Sequence, residues 1–474
     1  MDSSKVLEIF KEITRIPRES GKEAPMTSWL QKWAADHGLE CKTDAIGNVN
    51  IIRPASKGKE KLPGIVLQAH QDMVCEKRAG VQHDFSKDPI NYVIEDGWMI
   101  AKDTTLGADD GIGIAAALAL MESNLELPRI ESVFTISEET GMDGAFAMQE
   151  GFFTGKTLIN LDSEDEGQIF IGCAGGVDTT AEFTYEPQVQ NAGWHPVKLD
   201  ITGGLGGHSG DDINKGRLNT VSAMARFIEQ EKEHGMQLII FMGGGKPNAI
   251  ARECEAVIAV PAESETVKRF QAWSESLKAE YAESDPNLRF EAGAFRCSEK
   301  AICDEVGDKL VHALATCPHG VIAMSNSIPG LVQTSTNLAS VHMKTAGKVE
   351  VVTSQRSDVP DDLDLIAAKV RKCFDDAGAC TCHNGKYPGW TPNTDSHILG
   401  ICKESYVKLF GRKPLVVAIH AGLECGLFGE KFPGLDMVSF GPTLRGVHTP
   451  GERLDLESLD KFVRLLEDVT VNFR

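Results

Sequence analysis

Acids and histidines stand at recurring places in this chain, directly after apolar runs. His70-Gln71-Asp72 follows residues 64–69, Glu138-Glu139 follow 130–137, and Asp162 ends 157–161. Asp109-Asp110 immediately precede the Ala-rich stretch 111–122, and His448 lies just past 437–440. The apolar runs read as buried strands. In open α/β sheets, ligands bind outside the carboxyl ends of the strands, so these clusters are expected to meet in one crevice. Bare carboxylates packed that closely would repel, and some would have to take up protons, unless cations stand among them. Two imidazoles with three or four carboxylate oxygens suit Zn²⁺, with Mn²⁺ or Co²⁺ as substitutes. The lack of Cys in the set points to an open, catalytic type of site.

Taken singly, each feature has a plainer reading. A lone His-x-Asp is a weak signal, and paired glutamates are usually solvated. Asp109 or Asp110 could simply cap the helix that follows them. His420 and His448 alone would pass for structural histidines. The joint placement at strand ends carries the metal reading.

The elements that must position these residues form a recognisable order. Ser3 or Ser4 can cap a first helix with Val6, Ile9, Phe10 and Ile13 on one face, and Pro17 stops it. A second helix carries Met26, Trp29, Leu30 and Trp33. Strands over 48–53, 64–70, 130–137 and 157–162, with a helix over 111–122, give the α/β pattern of helices covering a largely parallel sheet. From about Pro187 to Pro196 the texture changes to α+β. One β-α-β-β-α order runs from 197 to 282 and a similar one from 288 to 377. Two repeated units and a single irregular α+β domain fit this block equally well. After Tyr387-Pro388-Gly389-Trp390 the α/β texture returns, closing on a helix over 456–472. The expected organisation is a catalytic domain in two parts, 1–183 and 390–474, with a lid domain, 184–389, inserted between them.

Composition narrows the function classes. With 474 residues, 42% hydrophobic and 25% charged, the chain is an ordinary globular one. A net charge of −21 speaks against a nucleic-acid surface, which needs clustered Lys and Arg. The longest apolar stretch, 111–121, is far short of the ~20 residues of a spanning helix. No secretory signal is visible at Met1-Asp2-Ser3-Ser4-Lys5, so a cytoplasmic protein with reduced thiols is expected, without nucleic-acid or membrane partners. Cys380-Thr381-Cys382-His383 has no second pair at zinc-finger spacing and reads as ordinary sequence. The Gly-rich 111–116 would place Asp109 and Asp110 against a pyrophosphate, and 243–247 lacks the spacing of a phosphate loop, so neither is read as a nucleotide site.

The ordered set His70-Gln71-Asp72, 106–111, 137–141, Leu161-Asp162-Ser163 and His448 resembles the di-zinc metallopeptidase family of aminoacylases, carnosinases and glutamate carboxypeptidases. The motifs 206–213, 247–251, 354–357, 388–390 and 420–424 are similar to its bacterial aminoacyl-histidine dipeptidase branch, over nearly the whole chain. The resemblance implies that Asp109 bridges two Zn²⁺ ions, one also held by His70 and Asp162 and the other by Glu139 and His448. It implies Asp72 behind His70, Glu138 as general base, and a cis peptide after Asp109. His208 would donate to the developing oxyanion, Arg356 and Asn248 would hold the substrate's C-terminal carboxylate, and Glu424 its amino group. The implied substrates are dipeptides with a free amino terminus, including Xaa-His such as β-alanyl-histidine. A homodimer is the implied assembly, although a lid of double length would let His208 act in cis rather than in trans. The alternatives are an N-acyl amino acid amidohydrolase on the same metals, a non-catalytic metal-dependent binder, which would not need Glu138, and, more distantly, a Rossmann oxidoreductase.

Overall fold

A computed structural model describes residues 1–326, 328–344 and 347–474. The chain forms two compact units. The first comprises Met1–Cys173, Trp390–Ala418 and Leu423–Arg474, and the second Ala174–Gly389 with Ile419–Gly422.

The first unit is built on an eight-stranded sheet in the order Glu40–Thr43, Val49–Arg53, Ile130–Thr135, Ile65–His70, Thr157–Asn160, Asp436–Ser439, Gln168–Cys173 and Leu415–Ile419. The strand Ile65–His70 lies at its centre, parallel to Ile130–Thr135 on one side and to Thr157–Asn160 on the other, and Asp436–Ser439 continues the parallel set. Ile65–His70 and Ile130–Thr135 are buried at every position, which is why their sequences run apolar without alternation. The helix Ala108–Glu122 is buried from Ala108 to Met121; its Ala and Gly residues let neighbours approach on all sides. Asp109 and Asp110 have non-helical backbone angles, so the regular helix begins at Gly111, as its composition suggests. The first helix, Ser3–Ile13, buries Val6, Ile9, Phe10 and Ile13, but Asp2 caps it: its carboxylate accepts from Ser4 N at 2.9 Å. A small four-stranded sheet, unforeseen from the sequence, pairs Leu444–Arg445 and Arg453–Asp455 with Trp98–Ala101 and Tyr92–Glu95. His448 sits on the hairpin loop between its first two strands.

The second unit is an antiparallel sheet carrying four main helices: Thr220–Glu231, Thr266–Glu280, Asp304–Thr316 and Pro360–Asp376. Its strand order is Arg289–Ala294, Trp194–Thr202, Cys254–Pro261, Gln237–Gly244, Val332–Lys344, Lys348–Ser357, Gly175–Thr184 and Cys380–Tyr387. Two halves with mirrored order join where Gly243 and Gly244 pair with Val341 and Ser340. Each half runs strand, helix, two strands, helix, edge strand, and the second adds a short strand, Gly320–Met324, paired with Val332–Lys344. The repeat is therefore real, but its register differs from the sequence reading. The stretch 288–292 belongs to the outer edge strand of the first half, and the second half opens with Gly175–Thr184, so one half is nested inside the other. For the same reason residues 174–183, read from the sequence as part of the catalytic domain, pair within the second unit.

Candidate metal centre

The parallel strands of the first unit bring their carboxyl ends to one edge. His70 is the last residue of its strand and is in register with Thr135, while Gln68 is in register with Asn160. Glu138 and Glu139 therefore follow just beyond one neighbouring strand, and Asp162 just beyond the other. Asp109 lies between two imidazoles: its Oδ1 is 2.9 Å from His70 Nε2 and its Oδ2 is 3.0 Å from His448 Nε2. His448 Nε2 is also 2.9 Å from Glu139 Oε1, and His70 Nε2 is 3.4 Å from Asp162 Oδ1. Two overlapping groups offer ligand atoms all within 4.8 Å of one another: His70, Asp109 and Glu139, and His70, Asp110 and Asp162. By its place in the sequence Asp110 is open to a plainer role as a helix cap. Its Oδ1 does accept from Gly113 N at 3.1 Å, but its buried Oδ2 has no hydrogen-bond partner, and the residue belongs to the second group. The Asp109–Asp110 peptide is cis.

Behind this set, Asp72 lies with Oδ1 3.4 Å from His70 Nδ1. It also accepts from Ser20 Oγ at 2.8 Å and from the backbone N–H groups of Glu138 and Glu139 at 3.1 and 3.2 Å. One carboxylate thus orients both the imidazole and the Glu138-Glu139 turn. Glu23 steadies the same turn, accepting from Ser137 N at 3.0 Å. Its part in the site had no sequence signal, since it lies in a helix-leading segment far from any motif.

The shifted protonation of these groups shows how strongly the cluster calls for positive charge. Burial pushes Asp162 and Glu138 well above the usual carboxylate range, and neighbouring carboxylates add to the shift. Burial opposes the charge of Asp109, but His448 and His70 outweigh it and hold Asp109 well below that range. Hydrogen bonds to Asp109 and Glu139 push His448 up to about 11. His70 is also raised, burial being overcome by Asp162, Asp109 and Asp72. Imidazoles and carboxylates, without thiolates, with an orphaned buried carboxylate oxygen among them, are a donor set that fits small divalent cations of the Zn²⁺, Mn²⁺ or Co²⁺ kind.

Glu424 is fully buried in the first unit. Its Oε2 accepts from Gln68 Nε2 at 2.6 Å and Thr135 Oγ1 at 2.7 Å, and its Oε1 has no partner. Burial pushes its carboxyl up to about 7.

In the second unit, His208 and Asn248 line one cavity of about 510 Å³ together with Lys246 and Arg252. His208 Nδ1 is 3.5 Å from Asp211. Arg356 donates from Nη1 to Tyr387 Oη at 3.1 Å, and its buried Nε has no partner. The field of Arg356 acts on both Asp211 and His420. His420, which alone would pass for a structural histidine, bonds Ser335 Oγ through Nε2 at 2.7 Å and leaves Nδ1 buried and unpartnered. Cys380 and Cys382 lie exposed on an edge strand, and His383 contacts Thr179; none belongs to a metal-binding group among the described residues. The twelve cysteines form no disulfide, and no helix among the described residues is long and apolar enough to cross a membrane.

The chain belongs to peptidase family M20/M25/M40, whose model matches residues 66–472. Membership implies metal ions, for which the two His/Asp/Glu groups are candidate sites. Among its relatives is the cytosol non-specific dipeptidase of Escherichia coli K12, 39% identical over 98% of this chain and 96% of that protein. The crystal structure of aminoacylhistidine dipeptidase from Vibrio alginolyticus is 36% identical and superimposes with a TM-score of 0.92, covering 99% of this chain and 97% of that one. The aminopeptidase PepT of Bacillus cereus, 19% identical with a TM-score of 0.62 over 99% of this chain and 98% of that one, shares the fold.

Proposed function

We propose that this protein is a cytosolic di-zinc dipeptidase, hydrolysing dipeptides with a free amino terminus, β-alanyl-histidine and other Xaa-His among them. The observation that carries the reading is the Asp109 carboxylate, with one oxygen toward each of two imidazoles, beside a half-buried Glu138 that joins neither ligand group. The strong likeness to two dipeptidases supports the substrate class.

In this reading His70, Asp109, Glu139, Asp162 and His448 hold the ions, and Asp110 is the added candidate beside His70. Bound ions would polarise the scissile carbonyl and acidify a water at neutral pH. Glu138 accepts the proton of the attacking water at its carboxylate and returns it to the departing amine, a task suited to a carboxyl raised by burial. Asp72 keeps the His70 ring and the Glu138 turn oriented for this. His208 supplies a donor for the carbonyl oxygen as charge develops there. Arg356, whose buried Nε has no partner, receives the C-terminal carboxylate, assisted by Asn248. The unpartnered Oε1 of Glu424 receives the amino group.

The test is hydrolysis of carnosine, Ala-Ala and N-acetyl-alanine by wild type and Glu138→Ala, with zinc per chain measured in both. Expected is cleavage of the two dipeptides by wild type, and a loss of roughly 10²–10⁴-fold in kcat in a variant that still holds two zinc ions. Cleavage of the acetylated compound alone would replace this reading with an N-acyl amino acid amidohydrolase.

A further inference from the structure

Three segments carry the imidazoles and the shared carboxylate, and they are remote in sequence: 70–73, 106–109 and 446–452. Two buried charges tie them together, Glu452 and Arg18, each only 2% exposed. Glu452 Oε2 accepts from the backbone N–H of Leu106 at 2.8 Å and of Gly107 at 3.1 Å. Its Oε1 accepts from Ala108 N at 2.8 Å and Asp109 N at 3.4 Å. From the other side, Arg18 Nη1 donates to the carbonyls of Gln71 at 3.1 Å and Asp72 at 2.6 Å, and Nη2 donates to the carbonyl of Gly107. The residue 107 thus gives its N–H to one charge and its C=O to the other. Glu452 also belongs to the His448 loop, where its own N–H bonds Thr449 O at 3.1 Å. Arg18 O in turn accepts from Met73 N at 3.0 Å.

We infer that Glu452, with Arg18 opposite, is a positioning residue that sets the place of Asp109 between His70 and His448, and so the affinity and geometry of the two-metal centre. Neither side chain is in a ligand group. Burying an isolated carboxylate or guanidinium is costly unless its hydrogen-bonding capacity is met, and here it is met by the backbone of the ligand-bearing segments themselves. Four N–H groups converging on one carboxylate cannot be matched by an amide, which offers a single acceptor oxygen and turns two donors toward donors. The inference rests on Asp109, His70 and His448 being metal ligands.

The experiment compares wild type, Glu452→Gln, Glu452→Asp and the control Glu131→Gln. Glu131 is an equally buried carboxylate that accepts from Thr154 N and Gly155 N, away from the ligand set. Each protein is stripped of metal, checked for folding by circular dichroism, and titrated with Co²⁺ by chelator competition and visible absorption. The steady-state constants on Ala-Ala follow. Expected for both Glu452 variants is a loss of roughly 10–100-fold in Co²⁺ affinity, an altered ligand-field spectrum, and a fall in kcat with KM little changed. The Asp variant keeps the charge but is one methylene short of its four partners, so it reports even where Gln prevents folding. Glu131→Gln should lower the melting temperature and leave Co²⁺ affinity and spectrum as in wild type. Wild-type affinity and spectrum in a folded Glu452 variant, or an equal loss in Glu131→Gln, would overturn the inference. Failure of wild type itself to bind Co²⁺ would instead defeat the assignment of the ligands.

Discussion

His70 and His448 both hold protons more tightly than a free imidazole in the metal-free protein, because carboxylates face them. A raised imidazole pKa stabilises the folded state fully below the ordinary value near 6.5 and loses that contribution as pH rises through the folded one, about 11 for His448. With its pKa pushed to about 11, His448 keeps its proton at neutral pH, and His70 is shifted in the same direction, so a cation must displace protons to bind. Metal affinity should rise with pH across the neutral range, and Zn²⁺ binding at pH 7 should release protons. Calorimetry in two buffers of different protonation enthalpy measures this directly; identical heats in both would contradict it. Asp72 behaves in the opposite sense. Burial opposes its charge, but His70, Ser20 and Glu138 N bring it down to about 2. Its contribution to stability is present above pH ~4 and fades as pH falls toward ~2. The metal-free Asp72→Asn variant should be less stable at pH 7 by on the order of 2 kcal/mol, the gap closing below pH 4 in urea unfolding.

At the scale of elements, the turn before the buried helix matters as much as the helix. Gly107 has φ +68°, and a Cβ there would run into Arg18 and Met73. Gly107→Ala should destabilise by more than about 1 kcal/mol, read by chemical denaturation, because it combines an unfavourable backbone region with a clash. Motif reading finds 106–111 but cannot see that requirement, since a glycine's φ and what lies over its α-carbon are set by distant segments. The repeat in the inserted unit shows the same limit. Local patterning locates helices and strands of both halves, yet the edge strand Arg289–Ala294 was read as opening the second half. Only hydrogen-bond pairing with Trp194–Thr202 assigns it to the first.

For the whole molecule, binding that favours the folded state over the unfolded one raises stability by mass action. All the proposed ligands lie in the first unit, drawn from segments between residues 70 and 448. Chelation should lower the melting temperature by several degrees, with Zn²⁺ restoring it; at a free-ion concentration 1,000 times Kd the linkage amounts to about 4 kcal/mol. A melting temperature indifferent to chelator and zinc in differential scanning calorimetry would count against a metal centre joining these segments.

By itself the sequence determined the α/β frame, the split of that frame by an α+β block, and the strand-end acids and histidines. These are local properties: an apolar run forces a buried strand, and the residue after it is committed to the sheet's edge. It also determined the resemblance through which each ligand was named. Tertiary structure alone decided that Asp110 faces His70 and Asp162 as well as capping its helix, that Gly175–Thr184 pairs in the second unit, and that Glu452 and Arg18 bond the backbone beside His70 and Asp109. Each of these depends on contacts between residues tens to hundreds of positions apart, and a carboxylate's sequence neighbours do not reveal whose N–H groups will surround it once the chain has folded.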